Sequence, residues 1–237
     1  MARSWTLLKV SGFCIAAAVA GAALVSLPLR AQEQAVELPK PAVDATGETG
    51  LQKAVLAGGC FWGIQAVYQH TEGVTQAVSG YSGGTKQTAV YQVVSSGTTG
   101  HAEAVEITYD PKKISYGRIL QIFFSVAHNP TELNRQGPDE GPQYRSNIFY
   151  ANAEQKKVAE VYIAQLGKLG VFKQPIVTRI DKLEAFYRAE AYHQDYAILH
   201  PNNPYIVYND APKVENLQRI LPDVYRQKPV TVADAGK

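Results

Sequence analysis

Cysteine is nearly absent from this 237-residue chain: only Cys14 and Cys60 occur. Two cysteines exclude a disulfide framework, so a packed core has to hold the fold. Methionine is scarcer still, with Met1 the only one. A domain without thioethers has no methionine of its own to lose to oxidants. Charge of one sign is lacking too. The 23 basic and 21 acidic side chains leave a net charge of +2, with no clustered Lys/Arg face, which argues against nucleic acid as a partner. No phosphate-cradling or dinucleotide glycine pattern occurs, and no histidine pair has metal spacing with a third ligand. No metal and no bound cofactor are therefore expected. What the chain does have is 46% hydrophobic and 19% charged residues, an ordinary composition for a buried core.

The N-terminus places Arg3 and Lys9 before an uncharged run from Val10 to Leu29. A basic start followed by a long apolar run is the pattern of a secretory signal. The run is also about long enough to span a bilayer uncleaved, which takes roughly 20 apolar residues. Residues 1–31 are read as a signal peptide or membrane anchor through residues 10–29, and the protein is expected to be exported, periplasmic or otherwise extracytoplasmic. Residues 32–50, with Pro39, Pro41, Gly47 and Gly50, read as a flexible linker. A catalytic domain is expected over 51–227, with a loose polar tail over 228–237.

Within that domain, Lys53–Ala57 reads as a strand, residues 60–69 as a helix and Val74–Gly80 as a strand. Ala102–Tyr109 alternates and stops at Asp110-Pro111, which suits a strand and turn. Helices are expected over Ser115–Ala127, Ala153–Leu169, Ala189–Tyr196 and Val214–Leu221, with further strands over Asn147–Ala151 and Pro175–Asp181. The irregular segment 128–146 is long for a compact domain, and such segments are usually functional. Strands and helices mix without strict alternation, which predicts one α+β domain on a mainly antiparallel or mixed sheet.

Cys60 follows an apolar strand and Gly58-Gly59, and stands at a helix start. Unpaired N–H groups and the positive end of the helix dipole there favour a thiolate, the nucleophilic form. The bland reading is a buried inert cysteine, the commonest fate of a lone free one. In the 102–109 strand Glu103 shares a face with Val105 and Ile107, so its carboxyl is either desolvated and proton-holding or carried to a solvated edge. Fourteen tyrosines include Tyr81 and Tyr144; phenols donate hydrogen bonds without charge, which suits a neutral polar oxygen. Asp139 and Arg145 share the long loop, and Arg145 reads as structural. A cysteine hydrolase, with Cys60 activated by His101 or His193, and a non-catalytic redox-sensing module both stay open at this point.

Six segments in order resemble the peptide methionine sulfoxide reductase A family, from Lys53 to about Tyr225. They are Gly59-Cys60-Phe61-Trp62-Gly63, Tyr81-Ser82-Gly83-Gly84, Gly100-His101-Ala102-Glu103, Asn134-Arg135-Gln136-Gly137, Gln143-Tyr144-Arg145-Ser146 and Ala189-Glu190-Ala191-Tyr192-His193-Gln194. The resemblance implies a two-layer α/β sandwich with a ferredoxin-like core, and reduction of methionine-S-sulfoxide, free or in oxidised proteins. By position it makes Cys60 the nucleophile, Glu103 the acid, and Tyr81 and Tyr144 donors to the sulfoxide oxygen. Phe61 and Trp62 would wall the substrate methyl, and Asp139 would order the site. Two departures stand out. No C-terminal cysteine is present and Ser95 occupies a position that is sometimes cysteine in relatives, so recycling falls to an external thiol or redox protein. The family's His-Asp-Pro-Thr-Gln reads His128-Asn129-Pro130-Thr131-Glu132, which puts that loop's shape in question. A monomer is expected.

Overall fold

Alternation along residues 102–109 produces the strand around which everything else is hung. The computed structural model describes residue 1, residues 35–47 and residues 49–234. The chain runs through β1 (Gln52–Ala57), α1 (Phe61–Gln69), β2 (Val74–Ser82), the one-turn α2 (Tyr91–Val94), β3 (Ala102–Tyr109) and α3 (Tyr116–Ile122). A small hairpin, β4 (Arg135–Gln136) and β5 (Asp139–Glu140), precedes β6 (Asn147–Tyr150), α4 (Ala153–Leu169) and β7 (Arg179–Lys182). The chain continues with β8 (Phe186–Arg188), α5 (Tyr196–Leu199) and α6 (Ala211–Ile220).

Among the described residues six strands form one sheet in the order β7-β6-β1-β3-β2-β8. All neighbours are antiparallel except β6 and β7, so the sheet is mixed. The central order β6-β1-β3-β2 is that of a ferredoxin-like split βαβ, with α1 and α3 as the crossovers. The expected α+β architecture is the one observed.

Period-two alternation sorts the side chains of β3. Glu103, Val105 and Ile107 belong to the helix-covered face, where Val105 and Ile107 join Leu56, Ile64, Val67 and Tyr68 in the main core. On the other face Ala102 and Ala104 pack with Val55, Ala57 and Phe149 in a smaller cluster. Each fully buried Leu, Ile, Val or Phe side chain contributes about 1.5–3 kcal/mol, so the sheet is fixed in register by both faces. A one-residue slip of β3 would expel Val105 and Ile107 from the core.

Three expectations need correcting. Residues 35–47 are packed and bonded rather than linker-like: Leu38 is 2% exposed, Val36 N–H donates to Ser125 O at 3.1 Å, and Tyr162 Oη donates to Pro39 O at 2.9 Å. Asp44 closes this strap by accepting Ser115 Oγ at 2.5 Å and Gly117 N–H at 2.7 Å, at the start of α3. Pro and Glu content suggested a linker, but a strap with one buried leucine and several backbone partners is bound all the same. The C-terminal tail is likewise tied: Val230 N–H donates to Gln69 O at 3.0 Å and Val232 N–H to Asp195 Oδ1 at 2.9 Å. The helix expected over Ala189–Tyr196 is instead a single turn at Ala191–His193 followed by α5, because Asp195 takes a left-handed conformation at φ 58°. The signal peptide or anchor assigned to 1–31, including residues 10–29 and Cys14, lies outside the described residues. Among the described residues no helix is long and apolar enough to cross a membrane.

Candidate active site

Two glycines shape the approach to Cys60. Gly59 has φ +98°, and a Cβ there would lie 2.5 Å from the Gln136 side chain, so β1 turns into α1 in a space only glycine fits. At Gly63 a Cβ would fall 2.2 Å from Asp210 Oδ1, which brings that buried carboxylate against the first turn of α1. Cys60 is the residue before α1 and is 8% exposed.

β3 delivers Glu103 to the same place. Its neighbour across β2 is Tyr81, and its Oε2 accepts the backbone N–H of Phe61 at 3.1 Å. The carboxyl therefore sits at the N-terminus of α1, one residue from the cysteine. Glu103 is 2% exposed. Burial lifts its pKa to about 8, the Phe61 N–H pulls the other way, and the Asp139 and Asp210 carboxylates add to the rise. A neutral, proton-bearing acid at pH 7 is the result. Of the two readings open from the alternation pattern, the desolvated one is correct.

Cys60 behaves otherwise than its helix position suggests. Burial pushes its thiol pKa well up, and the Asp210 and Asp139 carboxylates push it further, as Glu103 would once ionised; only the Trp62 backbone N–H lowers it. A helix terminus is worth about 0.3–1 kcal/mol at most exposed sites, a small effect against desolvation with two carboxylates nearby. Burial therefore works against the thiolate that the helix position favours.

The acids differ in their surroundings. Asp139, on β5, accepts the Tyr205 hydroxyl; burial raises its pKa, while that bond and the Lys213 ammonium oppose the rise. Asp210, fully buried, lies 3.7 Å from Lys213 Nζ. Glu103 has no cation beside it among the groups that shift it. One acid is thereby singled out to keep its proton.

The aromatic pair after Cys60 splits in role. Phe61 is 1% exposed and packs between Tyr81 and His193, with centroids at 5.9 and 5.0 Å. Trp62 is half-buried and held on three sides. It stacks on Tyr196 at 3.8 Å and 12°, meets Tyr205 edge-on, and donates Nε1–H to His193 Nδ1 at 3.2 Å. Of the pair, Trp62 keeps part of its ring exposed while Phe61 is fully buried.

Of the two tyrosines expected to donate to substrate, the structure keeps one free to do so. The Tyr81 hydroxyl donates to Glu190 Oε2 at 2.8 Å and the residue is wholly buried, so its proton is already committed. Tyr144 is half-buried, its pKa raised by burial and then by Glu103, Asp139, Tyr91 and Cys60. Tyr91, not expected from the sequence, stands in the same group: burial, then Glu103 and Cys60, raise its pKa too. Among the described residues neither the Tyr91 nor the Tyr144 hydroxyl has a hydrogen-bond partner. Two phenol donors thus lie close enough to Glu103 and Cys60 to feel their charge. Tyr91 opens a helix of four residues, too short for any periodic signal.

The remaining loop residues are architectural. Arg145 donates to the carbonyls of Gly100, His101 and Pro142 at 2.8–3.1 Å, as its structural reading implied. The departures at Asn129 and Glu132 close the loop: Asn129 Oδ1 accepts Thr131 Oγ1 at 2.7 Å and Glu132 Oε2 accepts Gly137 N–H at 2.7 Å. His101 accepts from Gly84 N–H through Nδ1, so its Nε2–H donates to Thr85 O at 2.9 Å. His193 Nδ1 is taken by Trp62, and burial lowers the ring's pKa. Neither imidazole contacts the cysteine as a base, so the hydrolase reading has no support in the geometry. Among the described residues no group of three or more His, Cys, Asp or Glu is arranged to hold a metal.

The fold and the site define a cysteine-centred α+β domain with a buried carboxylic acid at the head of its first helix. Residues 52–223 match the family model described as peptide methionine sulfoxide reductase. A relative from Mesorhizobium japonicum named peptide methionine sulfoxide reductase MsrA 2 is 57% identical over 194 residues, covering 82% of this chain and 100% of the relative. One of the same name from Synechocystis is 49% identical over 190 residues, covering 78% and 89%. Among solved structures, reduced Mxr1 from Saccharomyces cerevisiae is 33% identical with a TM-score of 0.59, covering 65% of this chain and 87% of that one. Methionine sulfoxide reductase A of Corynebacterium diphtheriae is 29% identical with a TM-score of 0.56, covering 74% and 93%. The chain belongs to the peptide methionine sulfoxide reductase family, A type, oxidoreductases that return methionine sulfoxide to methionine.

Proposed function

We propose that Cys60 is the nucleophile and Glu103 the acid in reduction of the S epimer of methionine sulfoxide, free or in oxidised proteins. The observation that carries this reading is the Phe61 N–H···Glu103 bond, which holds a protonated carboxyl one residue from the only cysteine of the domain. A sulfoxide sulfur is a poor electrophile until its oxygen gains a proton. Glu103 supplies that proton while the Cys60 sulfur, passing its own proton to the carboxylate so formed, attacks the substrate sulfur and bonds to it. The hydroxyl then passes from the substrate sulfur to the Cys60 sulfur as the S–O bond and the new S–S bond both break, so thiol and sulfoxide become sulfenic acid and thioether, with two electrons passed from Cys60 to substrate. The Tyr91 and Tyr144 hydroxyls donate to the sulfoxide oxygen, bonds that strengthen as negative charge builds there. Tyr91 takes the place expected for Tyr81. Trp62 walls the methyl group with Phe61 behind it, and Asp139 orders the site through Tyr205.

Recycling has to come from outside the domain. Two external thiols, from a small thiol or a redox protein, convert the sulfenic acid to thiol and water and leave as a disulfide. No bound cofactor takes part. Arg3, Lys9 and the uncharged run that follows support export, with residues 1–31 as signal or anchor and a monomeric reductase working outside the cytoplasm.

Purified protein with dithiothreitol is expected to convert methionine-S-sulfoxide to methionine and to leave the R epimer. Cys60→Ser removes the nucleophile and should cost at least about a thousandfold in kcat. Appreciable turnover by Cys60→Ser contradicts the assignment.

A further inference from the structure

Glu190 is a charged residue that the reaction itself does not consume, yet both of its carboxylate oxygens are bound to the surroundings of the site. Oε1 accepts the backbone N–H of Tyr91 at 2.9 Å, and Oε2 accepts the Tyr81 hydroxyl at 2.8 Å. Tyr91 is the first residue of α2, and Val90, at the head of that helix, supplies no side-chain cap. A helix of four residues cannot hold its own first turn, since nucleation alone is unfavourable. The cap comes instead from a carboxylate 99 residues away in sequence, the chemistry of an N-cap supplied in trans. On its own side Glu190 begins the turn Ala191–His193. The His193 ring it leads to lies 4.4 Å from the Tyr91 ring and accepts the Trp62 indole N–H. Tyr81, buried on β2, fixes the second oxygen so that the carboxylate cannot swing away.

We propose that Glu190 is a positioning residue for the Tyr91 phenol, aiming it at the substrate oxygen, with Tyr81 as the anchor of that carboxylate. The proposal rests on the reading of Tyr91 as an oxygen donor, and it gives the Ala189–Gln194 segment and Tyr81 a purpose that the reaction alone leaves unassigned. Because a phenol bond of this kind strengthens as charge develops, misplacing it lowers kcat more than it raises KM.

The test is a double-mutant cycle on steady-state reduction of methionine-S-sulfoxide with dithiothreitol, reading kcat and KM apart, with Glu190→Ala, Tyr91→Phe and the pair. Glu190→Ala is expected to lower kcat about tenfold or more, and to cost nothing further once Tyr91→Phe is present. Glu190→Gln keeps an oxygen for the Tyr91 N–H and should recover most of the loss. If Tyr91→Phe slows turnover but the two losses multiply, Glu190 acts by another route and the proposal is overturned. If Tyr91→Phe leaves kcat intact, the donor reading of Tyr91 fails first and the proposal fails with it. Should Glu190→Ala not fold, Tyr81→Phe replaces it in the cycle, where a smaller kcat loss that vanishes in the Tyr91→Phe background is expected and a multiplying loss overturns the idea.

Discussion

The strap over residues 35–47 and the pocket around Cys60 treat polar groups in opposite ways. In the strap, polar groups are spent on the fold: Asp44 gives both carboxylate oxygens to the start of α3, and the Pro39 carbonyl takes the Tyr162 hydroxyl. Around Cys60, the Glu103 carboxyl accepts the Phe61 N–H and keeps its proton, and among the described residues the Tyr91 and Tyr144 hydroxyls have no hydrogen-bond partner. Both tyrosines are half-buried, so their hydroxyls can bond water until a ligand oxygen takes its place. The contrast marks the pocket as the part of the molecule shaped for something other than its own stability.

Mutations should respect that division. The largest effect on stability is expected in the strap: Leu38→Ala removes a buried side chain and should cost about 2–4 kcal/mol in denaturant unfolding while leaving kcat within twofold. A comparable loss of kcat in the folded variant would mean that the strap and the site are not separate devices. Next come the phenols. Tyr91→Phe and Tyr144→Phe should each slow turnover about tenfold to a hundredfold with little loss of stability, since each removes one transition-state donor. Tyr81→Phe should have the smallest effect on rate, a few-fold acting through Glu190, because its hydroxyl is already bound. Tyr81→Phe slower than Tyr91→Phe would reverse the roles assigned to the two tyrosines.

The sequence carried the sheet and missed the short pieces. Strand alternation in Ala102–Tyr109 put Glu103 on the same face as Val105 and Ile107, and that face is the one α1 covers. Long periodic elements such as α4 were legible for the same reason. The hairpin at 135–140 and β8 were not, since strands of two and three residues have no period to read. Sequence position at a helix start suggested an activated Cys60, yet burial and the carboxylates of Asp210 and Asp139 oppose it, a convergence that only the folded chain creates. The family resemblance pointed to Tyr81, whereas its hydroxyl is held by a carboxylate 109 residues away, a contact that no local pattern announces.

The central claim is that Glu103 carries the proton the sulfoxide oxygen needs. Its pKa is raised, so the protonated form is held below about pH 8 and lost above it. The direct measurement is kcat for methionine-S-sulfoxide, at saturating dithiothreitol, across neutral to alkaline pH for the wild-type chain and for Glu103→Gln. The wild type should fall off with an apparent pKa near 8. Glu103→Gln should be slower by about a hundredfold or more and show no such limb. A variant that keeps near-normal turnover, or that retains the same alkaline limb, contradicts the account.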